Sequence, residues 1–280
     1  MKKATSYTVQ ELCRLFNVSV STYYYQASEK PADIEKQEII DAIKDVAVEH
    51  GHTYGKRRMQ PALQKKGFEL GLFKISTLMK QSNVVAIVPK KKHYYANTGE
   101  VHKKSPNLLN RQFDQETALT HWVGDITYCR THQGWSYLAC VLDLGTKEVV
   151  GWSMSKSPNA QLAKDALRNA IQKHRPDTTK LLFHSDQGVQ YSADLFVKYL
   201  KILGIAQSMS RRGNCWDNSV MERFFRSLKS ERLNHLSFLN HFSLVSTVES
   251  YIYFYNYKRL HSAIGYISPS QKAALLKSVA

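Results

Sequence analysis

The sequence predicts an α/β protein in which a mixed five-stranded sheet with flanking helices follows an all-α N-terminal region. Three strand-like runs separated by turn residues lie between residues 121 and 155, a spacing typical of an antiparallel meander. Helical and strand-like segments then alternate up to residue 233. Before residue 88, in contrast, apolar residues recur at three- and four-residue steps, which indicates helices.

Composition points to a polyanionic partner. The chain has 280 residues, with 39 Lys and Arg against 23 Asp and Glu, a formal net charge of +16 at pH 7. Residues 1–112 carry 19 basic and 10 acidic side chains, and residues 113–280 carry 20 and 13. Both parts are therefore candidates for contact with nucleic acid. A merely soluble basic surface is the alternative that composition leaves open.

The cysteines and the apolar stretches exclude several classes of protein. The four cysteines are far apart and form no CxxC or Cys/His cluster, which argues against zinc and against disulfides: Cys13, Cys129, Cys140 and Cys215. The N-terminal segment lacks the features of a signal peptide, and no stretch is long and apolar enough to span a bilayer. We therefore expect a reduced cytoplasmic setting and no membrane partner.

Residues 1–30 are predicted to form a helix-turn-helix. Thr8 can cap a first helix, and Ser19 or Ser21 can cap a second helix after a short break. In a helix-turn-helix the second helix enters the major groove. A plain helical hairpin that packs on a neighbour gives the same sequence pattern, so both interpretations stay open.

Residues 31–88 continue with helical periodicity and are predicted to form a second helical, helix-turn-helix-like DNA-binding domain. Lys56, Arg57 and Arg58 fall at a predicted helix start, where exposed amides favour phosphate groups. A solvated basic face is the alternative for this run. Residues 89–112 lack periodicity and contain two lysine clusters with Asn, Gly, Ser and Pro, which predicts a basic linker.

Residues 113–280 are predicted to form the sheet-containing domain, with a helical and aromatic C-terminal tail. The predicted strands are His121–Arg130, Trp135–Leu144, Lys147–Ser155, Leu181–His184 and Ile205–Met209. The predicted helices cover residues 159–173, 192–203 and 218–233. Three antiparallel strands followed by α-β-α-β-α describe a ribonuclease H-like sheet. This topology places Asp125, on the first strand, beside Asp186, at the end of the fourth.

Three acidic residues occupy positions where an acid is unexpected. Asp125 interrupts a strand-like run, Asp186 ends an apolar run, and Glu222 lies on a helix rich in Phe and Arg. Sixty residues separate the first two acids and thirty-five separate the last two. Buried carboxylates are unfavourable unless they are paired or bind a cation, so three converging acids suggest a site for hard divalent metal ions. In a strongly basic protein the expected substrate is a phosphodiester.

Two basic residues share a helix face with Glu222. At about 100° per residue, Lys229 falls on the same face as Glu222, with Arg226 between them. We expect Arg226 and Lys229 to face the DNA backbone while Glu222 holds metal. A surface Glu-Arg ion pair on an ordinary amphipathic helix is the alternative. The neighbouring face is expected to anchor the helix in the core through Met221, Phe225 and Leu228.

Other polar residues receive separate interpretations. A basic loop before the last helix is expected to contact DNA through Arg211, Arg212 and Asn214. Three residues of the aromatic C-terminal segment are likewise expected to face nucleic acid: Asn256, Arg259 and His261. His184 shares a strand face with Asp186, but a packed, hydrogen-bonded histidine is favoured over a metal ligand. For Asp217 and Asn218, which precede the last predicted helix, an N-cap role is sufficient.

Five segments between His121 and Pro269 carry a family resemblance: WVGDITY, VLDLGTKEVVGWSMS, FHSDQGVQYSA, GNCWDNSVMERFFRSLKSE and YNYKRLHSAIGYISP. The chain resembles the transposases of bacterial insertion sequences of family three, specifically the second reading-frame product. More broadly, it is similar to the retroviral integrases. Upstream helix-turn-helix elements follow the order expected for the family.

The resemblance implies a DDE-type polynucleotidyl transferase that binds two Mg2+ ions, or Mn2+ in their place, through Asp125, Asp186 and Glu222. It implies cleavage of DNA at the ends of an insertion sequence, followed by strand transfer. Residues 113–280 would form an integrase-type catalytic core. The implied partners are double-stranded DNA at the ends and at the target, further copies of the chain on DNA, and the upstream-frame product. The implied location is the bacterial cytoplasm, in association with the nucleoid.

Two alternatives stay open. The first is a non-catalytic DNA-binding regulator or transposon remnant. The second is a nuclease that cuts DNA without joining it. The intact set of three acids favours an active transposase over a regulator. The N-terminal helix-turn-helix favours recognition of specific ends over indiscriminate cutting.

Overall fold

The computed structural model describes residues 7–24, 31–87, 105–211 and 214–279. It confirms the predicted α/β class, since a mixed five-stranded sheet with flanking helices follows an all-α N-terminal region. Residues 88–104, which make up most of the predicted linker, and Arg212 lie outside the described residues. Within the described ranges, no helix has the length and apolar character needed to cross a bilayer.

The N-terminal region begins with two short helices, α1 (Val9–Leu15) and α2 (Val20–Tyr23). Thr8 caps α1 through a capping box. Ser19 caps α2, because its hydroxyl accepts a hydrogen bond from the amide of Thr22 at 3.1 Å. The two predicted helices and their caps are therefore present. Several large apolar side chains of this hairpin are exposed, among them Leu15, Phe16 and Tyr24.

A second helical module consists of α3 (Pro31–Glu49), α4 (Lys56–Gln64) and α5 (Leu72–Gln81). The apolar stripe predicted on α3 is buried against the other two helices. The core of the module includes Ile39, Ile43, Val46, Met59, Leu63 and Ile75. Leu260, from the distant C-terminal segment, belongs to the same core. The module is therefore packed against the end of the chain.

The sheet contains β1 (His121–Thr131), β2 (Gly134–Asp143), β3 (Val149–Ser155), β4 (Leu182–Ser185) and β5 (Ala206–Met209). Its strand order is β3-β2-β1-β4-β5. The first three strands pair in antiparallel fashion, whereas β4 and β5 run parallel to β1. Strand bounds differ by at most two residues from the predicted ones, because turn residues mark the ends of each apolar run.

Helices cover both faces of the sheet. One face carries α6 (Ala160–His174) and α8 (Asp194–Leu203), with α7 (Val189–Ser192) leading into α8. The other face carries α9 (Ser219–Glu231) and α10 (His241–Tyr257), and α11 (Pro269–Val279) packs beside α10. Alternate strand residues supply the two cores, so Val123 packs on the α9 side and Trp122 on the α6 side.

Tyr54 joins the helical module to the C-terminal segment. Its hydroxyl accepts a hydrogen bond from the amide of Leu260 at 2.7 Å and donates one to the carbonyl of Lys258 at 3.3 Å. The side chain is 1% exposed, and burial raises its pKa to about 12. The hydroxyl therefore remains protonated and able to donate.

Candidate active site

Asp125 and Asp186 lie side by side where the pairing of β1 with β4 ends. Gly124 pairs with Ser185; Asp125 is the next residue of β1, and Asp186 directly follows the last residue of β4. Because side chains alternate along a strand, Asp125 points to the same face as Val123, which packs under α9 and α10. The two aspartates are therefore neighbours on the face of the sheet that α9 covers.

Two contacts fix the backbone immediately before Asp125. A Cβ atom at Gly124 would collide with the ring of Phe183, so only glycine fits between the strands. The side-chain amide of Asn218 donates to the carbonyl of Gly124 at 3.3 Å. This bond ties the start of α9 to β1 one residue before the first aspartate.

The protein interior disfavours the ionised form of Asp125. Burial raises its pKa well above the ordinary value, and the negative charges of Asp186 and Glu222 raise it further. The amide of Ile126, which donates to the carboxylate at 2.7 Å, and the charge of Lys229 act in the opposite direction. A buried acid surrounded by other acids is an arrangement that a cation would stabilise.

The pKa of Asp186 is also raised, although less than that of Asp125. The residue is accessible to solvent, but the protein atoms around it still desolvate the carboxylate enough to raise its pKa. The amide of Gly188 opposes this by donating to the carboxylate at 2.9 Å. A Cβ atom at Gly188 would lie 2.9 Å from the same carboxylate oxygen, so glycine keeps this side of Asp186 open.

Glu222 is on an exposed face of α9. Its charge raises the pKa of Asp125, which places it within electrostatic range of the aspartates. Burial raises the pKa of Glu222 itself, and Arg226, one turn further on, lowers it. Across the described ranges, however, no three His, Cys, Asp or Glu side chains come close enough to hold one metal ion. The two aspartates are adjacent, whereas Glu222 is near them without sharing a ligation site.

The chemistry of these donors fits a hard divalent cation. All three side chains offer carboxylate oxygens, which are the ligands that Mg2+ prefers in proteins. Asp125 and Asp186 supply an adjacent pair, and because the charge of Asp186 raises the pKa of Asp125, a cation bound to both carboxylates would offset this repulsion. Glu222 would contribute from α9.

Basic residues follow Glu222 on α9. Lys229 is partly buried, and its charge lowers the pKa of both Asp125 and Cys129, so its ammonium lies near the first aspartate. Arg226 is exposed. The predicted anchoring face is present, since the side chains of Met221, Phe225 and Leu228 are buried. Contact of Arg226 and Lys229 with DNA stays a prediction.

His184 is buried behind the site and hydrogen-bonded through both ring nitrogens. Nδ1 lies 2.8 Å from the hydroxyl of Ser208, and Nε2 lies 3.2 Å from the hydroxyl of Ser210 and 3.0 Å from the carbonyl of Asp217. Burial lowers its pKa to about 4, so the ring is neutral at neutral pH. The interpretation of His184 as a packed, hydrogen-bonded residue agrees with this geometry.

Asp217 anchors the segment before α9, a role that was not predicted. Its buried carboxylate accepts hydrogen bonds from Arg211 at 3.0 Å, Arg111 at 2.6 Å and Asn107 at 3.0 Å. The bonds from Arg211, together with the one from Arg111, hold its pKa well below the usual range. The N-cap of α9 is Asn218, whose side chain makes no capping hydrogen bond. A lone acid in a basic loop was the signal in the sequence for this role.

The remaining predicted DNA contacts in described regions are near the surface. Lys56 and Arg57 are exposed in the first turn of α4. Arg211 is about half exposed despite its bond with Asp217, and Asn214 accepts a hydrogen bond from Arg111 at 3.0 Å. Their positions leave them accessible, and contact with DNA stays a prediction.

Arg259 and Asn256 are buried, which contradicts the prediction that they face nucleic acid. Arg259 is 3% exposed, and its Nη2 and Nε atoms donate to the carboxylate of Glu231 at 2.6 and 2.9 Å. Its guanidinium also lies 5.4 Å from the ring centroid of Tyr255. Asn256 accepts from the amide of Val149 and donates to its carbonyl, both at 3.0 Å. Both side chains therefore join distant segments of the protein.

His261 is also unsuited to the predicted contact as a charged residue. Burial, followed by the positive charges of Arg259 and Arg58, lowers its pKa to about 3. The ring is therefore neutral at neutral pH. Arg58 itself is turned towards the core, where Nη1 lies 3.5 Å from the carboxylate of Glu231.

Comparison with known proteins places the chain in a family. Residues 115–215 and residues 203–269 each match a family described as integrase core domain, and residues 35–92 match one described as HTH-like domain. The chain is 36% identical over 264 residues to the insertion element IS600 uncharacterized 31 kDa protein of Shigella sonnei, covering 92% of this chain and 96% of the relative. It is 32% identical over 276 residues to the transposase InsF for insertion sequence IS3A of Escherichia coli (strain K12), covering 96% and 95%.

Similarity to solved structures is more distant. The HTLV-2 integrase catalytic core domain in complex with magnesium (dimeric form) matches with a TM-score of 0.43 and 16% identity, over 55% of this chain and 96% of that chain.

The chain is thus an enzyme of the DDE-type polynucleotidyl transferase class, with an integrase core and an HTH-like domain. It belongs to the IS3 family of insertion-sequence transposases, which confirms the family resemblance of its motifs.

Proposed function

We propose that this transposase cleaves DNA at the ends of its insertion sequence and transfers the cut strand to a target, through metal ions held by Asp125, Asp186 and Glu222. One observation carries the proposal: two adjacent aspartates with raised pKa values lie on the sheet face that α9 covers. Two neighbouring carboxylates with raised pKa values are unfavourable when both are ionised, and a cation would balance their charge.

In this proposal the acidic residues bind metal and the basic residues of α9 bind DNA. Two Mg2+ ions, or Mn2+ in their place, would supply the chemistry of such a site, namely activation of the attacking water or 3′ hydroxyl and stabilisation of the leaving oxygen. Asp125 and Asp186 would hold the ions from the sheet, and Glu222 would complete the ligand set by approaching them from α9. Arg226 and Lys229, on the same helix face as Glu222, neutralise phosphates of the reacting strand.

The other regions serve recognition of the DNA. We propose residues 1–30 and 31–88 as DNA-binding parts, residues 89–112 as a basic linker and residues 113–280 as the catalytic core. The side chains proposed to contact DNA in these regions are Lys56, Arg57, Arg211, Arg212 and Asn214. The protein would act as a homo-oligomer on double-stranded DNA near the bacterial nucleoid, with the upstream-frame product as a further partner.

A strand-cleavage and joining assay tests the catalytic assignment. The substrate is DNA that carries the ends of the protein's own element, with Mg2+ or Mn2+, in the presence and absence of the upstream-frame product. We expect Asp125→Asn, Asp186→Asn and Glu222→Gln each to lower the rate by at least about a thousandfold, because each removes a metal ligand. Asp165→Asn is the matched control, since Asp165 lies on α6 across the sheet and pairs with Arg168.

The outcomes separate the proposal from its alternatives. Equal rates in wild type and the three variants would remove the acids from the mechanism. A wild-type protein that binds the ends but cuts under no metal condition would be a regulator. Cleavage without any joined product would identify a nuclease.

A further inference from the structure

A cavity with basic walls lies on the side of α9 that faces away from the acids. Its volume is about 270 Å³, enough for several water molecules. Four cationic side chains from four separate elements line it, and we call it the basic cavity: Arg58 of α4, Lys147 of the β2–β3 turn, Arg223 of α9 and Arg259 after α10. Segments far apart in sequence thus converge on one space.

Positive charge in the basic cavity is only partly balanced. Glu231 accepts from Arg259 at 2.6 Å and lies 3.5 Å from Arg58, and Asp114 lies 3.9 Å from Lys147. Two carboxylates therefore pair with the four cations, and a third, that of Asp143, acts on Lys147 without an ion-pair contact. The carboxylate of Asp114 is fully exposed, so water screens its charge. The remaining positive charge would attract an anion.

The pKa values of groups around the basic cavity also respond to its positive charge. Burial lowers the pKa of Lys147, the charges of Asp114 and Asp143 oppose this, and the charge of Arg223 lowers the pKa again. The pKa of Arg58 is lowered by burial and then by Arg259. His261, which lines the cavity, feels the positive charge of all four basic residues. The cations thus repel one another, and an anion among them would relieve the repulsion.

Two features of the cavity wall favour a ligand with hydrogen-bond acceptors: a histidine nitrogen without a partner in the described part of the chain and the first turn of α9. The Nδ1 atom of His261 is buried and has no hydrogen-bond partner among the described residues. In one neutral tautomer this nitrogen carries a proton that it can donate. The cavity wall also includes Ser219 and Val220, in the first turn of α9, where the helix dipole favours negative charge.

We propose that the basic cavity holds one phosphate group of the bound DNA. The proposal rests on the DNA-processing function above, and it extends that function to a second face of α9. Glu222 and Arg223 are consecutive residues, so at about 100° per residue one helix presents the acid to the metal site and the arginine to the cavity. A phosphate held by Arg223 would therefore fix the DNA relative to the catalytic helix.

The test is the salt dependence of DNA binding, measured by fluorescence anisotropy on the full chain with a chelator in place of metal. Removing one phosphate contact reduces the slope of log affinity against log salt by about 0.9. We expect Arg223→Gln to show this reduction and to bind several-fold more weakly, and Arg223→Lys to keep the wild-type slope. Arg223 is exposed, so these variants should fold. Arg168→Gln is the control, because it removes an equal charge from α6 on the opposite face of the sheet.

Two results would overturn the proposal that the basic cavity holds a DNA phosphate. An unchanged slope in Arg223→Gln would overturn the proposal. An unchanged DNA slope combined with calorimetric binding of inorganic phosphate that is lost in Arg223→Gln would also overturn it, because the cavity would then be a site for a free anion. The slope is measured without metal, so a failure of the catalytic assignment leaves this measurement unaffected.

Discussion

At the scale of single residues, the carboxylate of Asp125 stands out because its surroundings oppose its charge. The residue is on a central strand, next to Asp186 and within range of Glu222, and burial is the largest cause of its raised pKa. Such an arrangement sacrifices stability for a function, since the charge could be removed by a single substitution to an amide.

Asp125→Asn is expected to stabilise the metal-free protein by about 1–3 kcal/mol, because it removes a desolvated charge that other acids repel. The amide oxygen can still accept from the Ile126 N–H that bonds the carboxylate at 2.7 Å. Urea denaturation in the presence of a chelator measures the difference. Added Mg2+ should then stabilise wild type and leave the variant unchanged. A variant that is less stable than wild type without metal would contradict this account.

The sequence identified the acids more successfully than their neighbours. Asp125 and Asp186 could be placed side by side because strand patterns and turn residues determine the sheet, and the observed register agrees. Arg259 was misjudged, since its partner Glu231 is 28 positions away and no local pattern shows that the two meet. Asp217 was underestimated for the same reason, because Arg111 reaches it from before the sheet.

At the scale of elements, α9 has three faces with different tasks. Met221, Phe225 and Leu228 anchor it in the core below. A second face carries Glu222 with the basic residues that follow it, and the third lines the basic cavity through Arg223. The helical period predicted the first two faces. The third depends on elements from elsewhere in the chain that complete the cavity.

The end of α9 is held by Glu231, which leads to a prediction for Arg259. Arg259→Ala is expected to lower the free energy of unfolding by roughly 3 kcal/mol, because it leaves Glu231 buried with fewer partners. Arg259→Met combined with Glu231→Gln should recover part of the loss. The measurement is urea denaturation followed by circular dichroism, with Lys258→Ala, at an exposed neighbouring position, as the control. Unchanged stability in Arg259→Ala would contradict this structural role.

At the scale of the whole molecule, the helical module and the catalytic core share a buried junction. Tyr54 bonds the backbone on both sides of Arg259, Leu260 enters the core of the module, and Arg58 reaches towards Glu231. The sequence predicts the module and the core as separate units from their different periodicities. It gives no sign of the junction, because the contacting residues are about two hundred positions apart.

Tyr54→Phe is expected to loosen this junction. The substitution keeps the ring but leaves the amide of Leu260 buried without its acceptor, which costs about 1–3 kcal/mol. Hydrogen exchange should become faster at the Leu260 amide and in α4, while β1 and β2 keep their protection. Tyr253→Phe, on the exposed side of α10, is the control. Unchanged exchange at Leu260 would show that packing alone holds the junction.

Because of the junction at Tyr54, the parts of this transposase are not freely interchangeable. A chimera that exchanged residues 31–87 for those of a relative would bring in a new module without the C-terminal segment that contacts it. Such hybrids should work only when residues 258–261 are exchanged together with the module. Transfer of the helical module between relatives would therefore require two separate stretches of sequence.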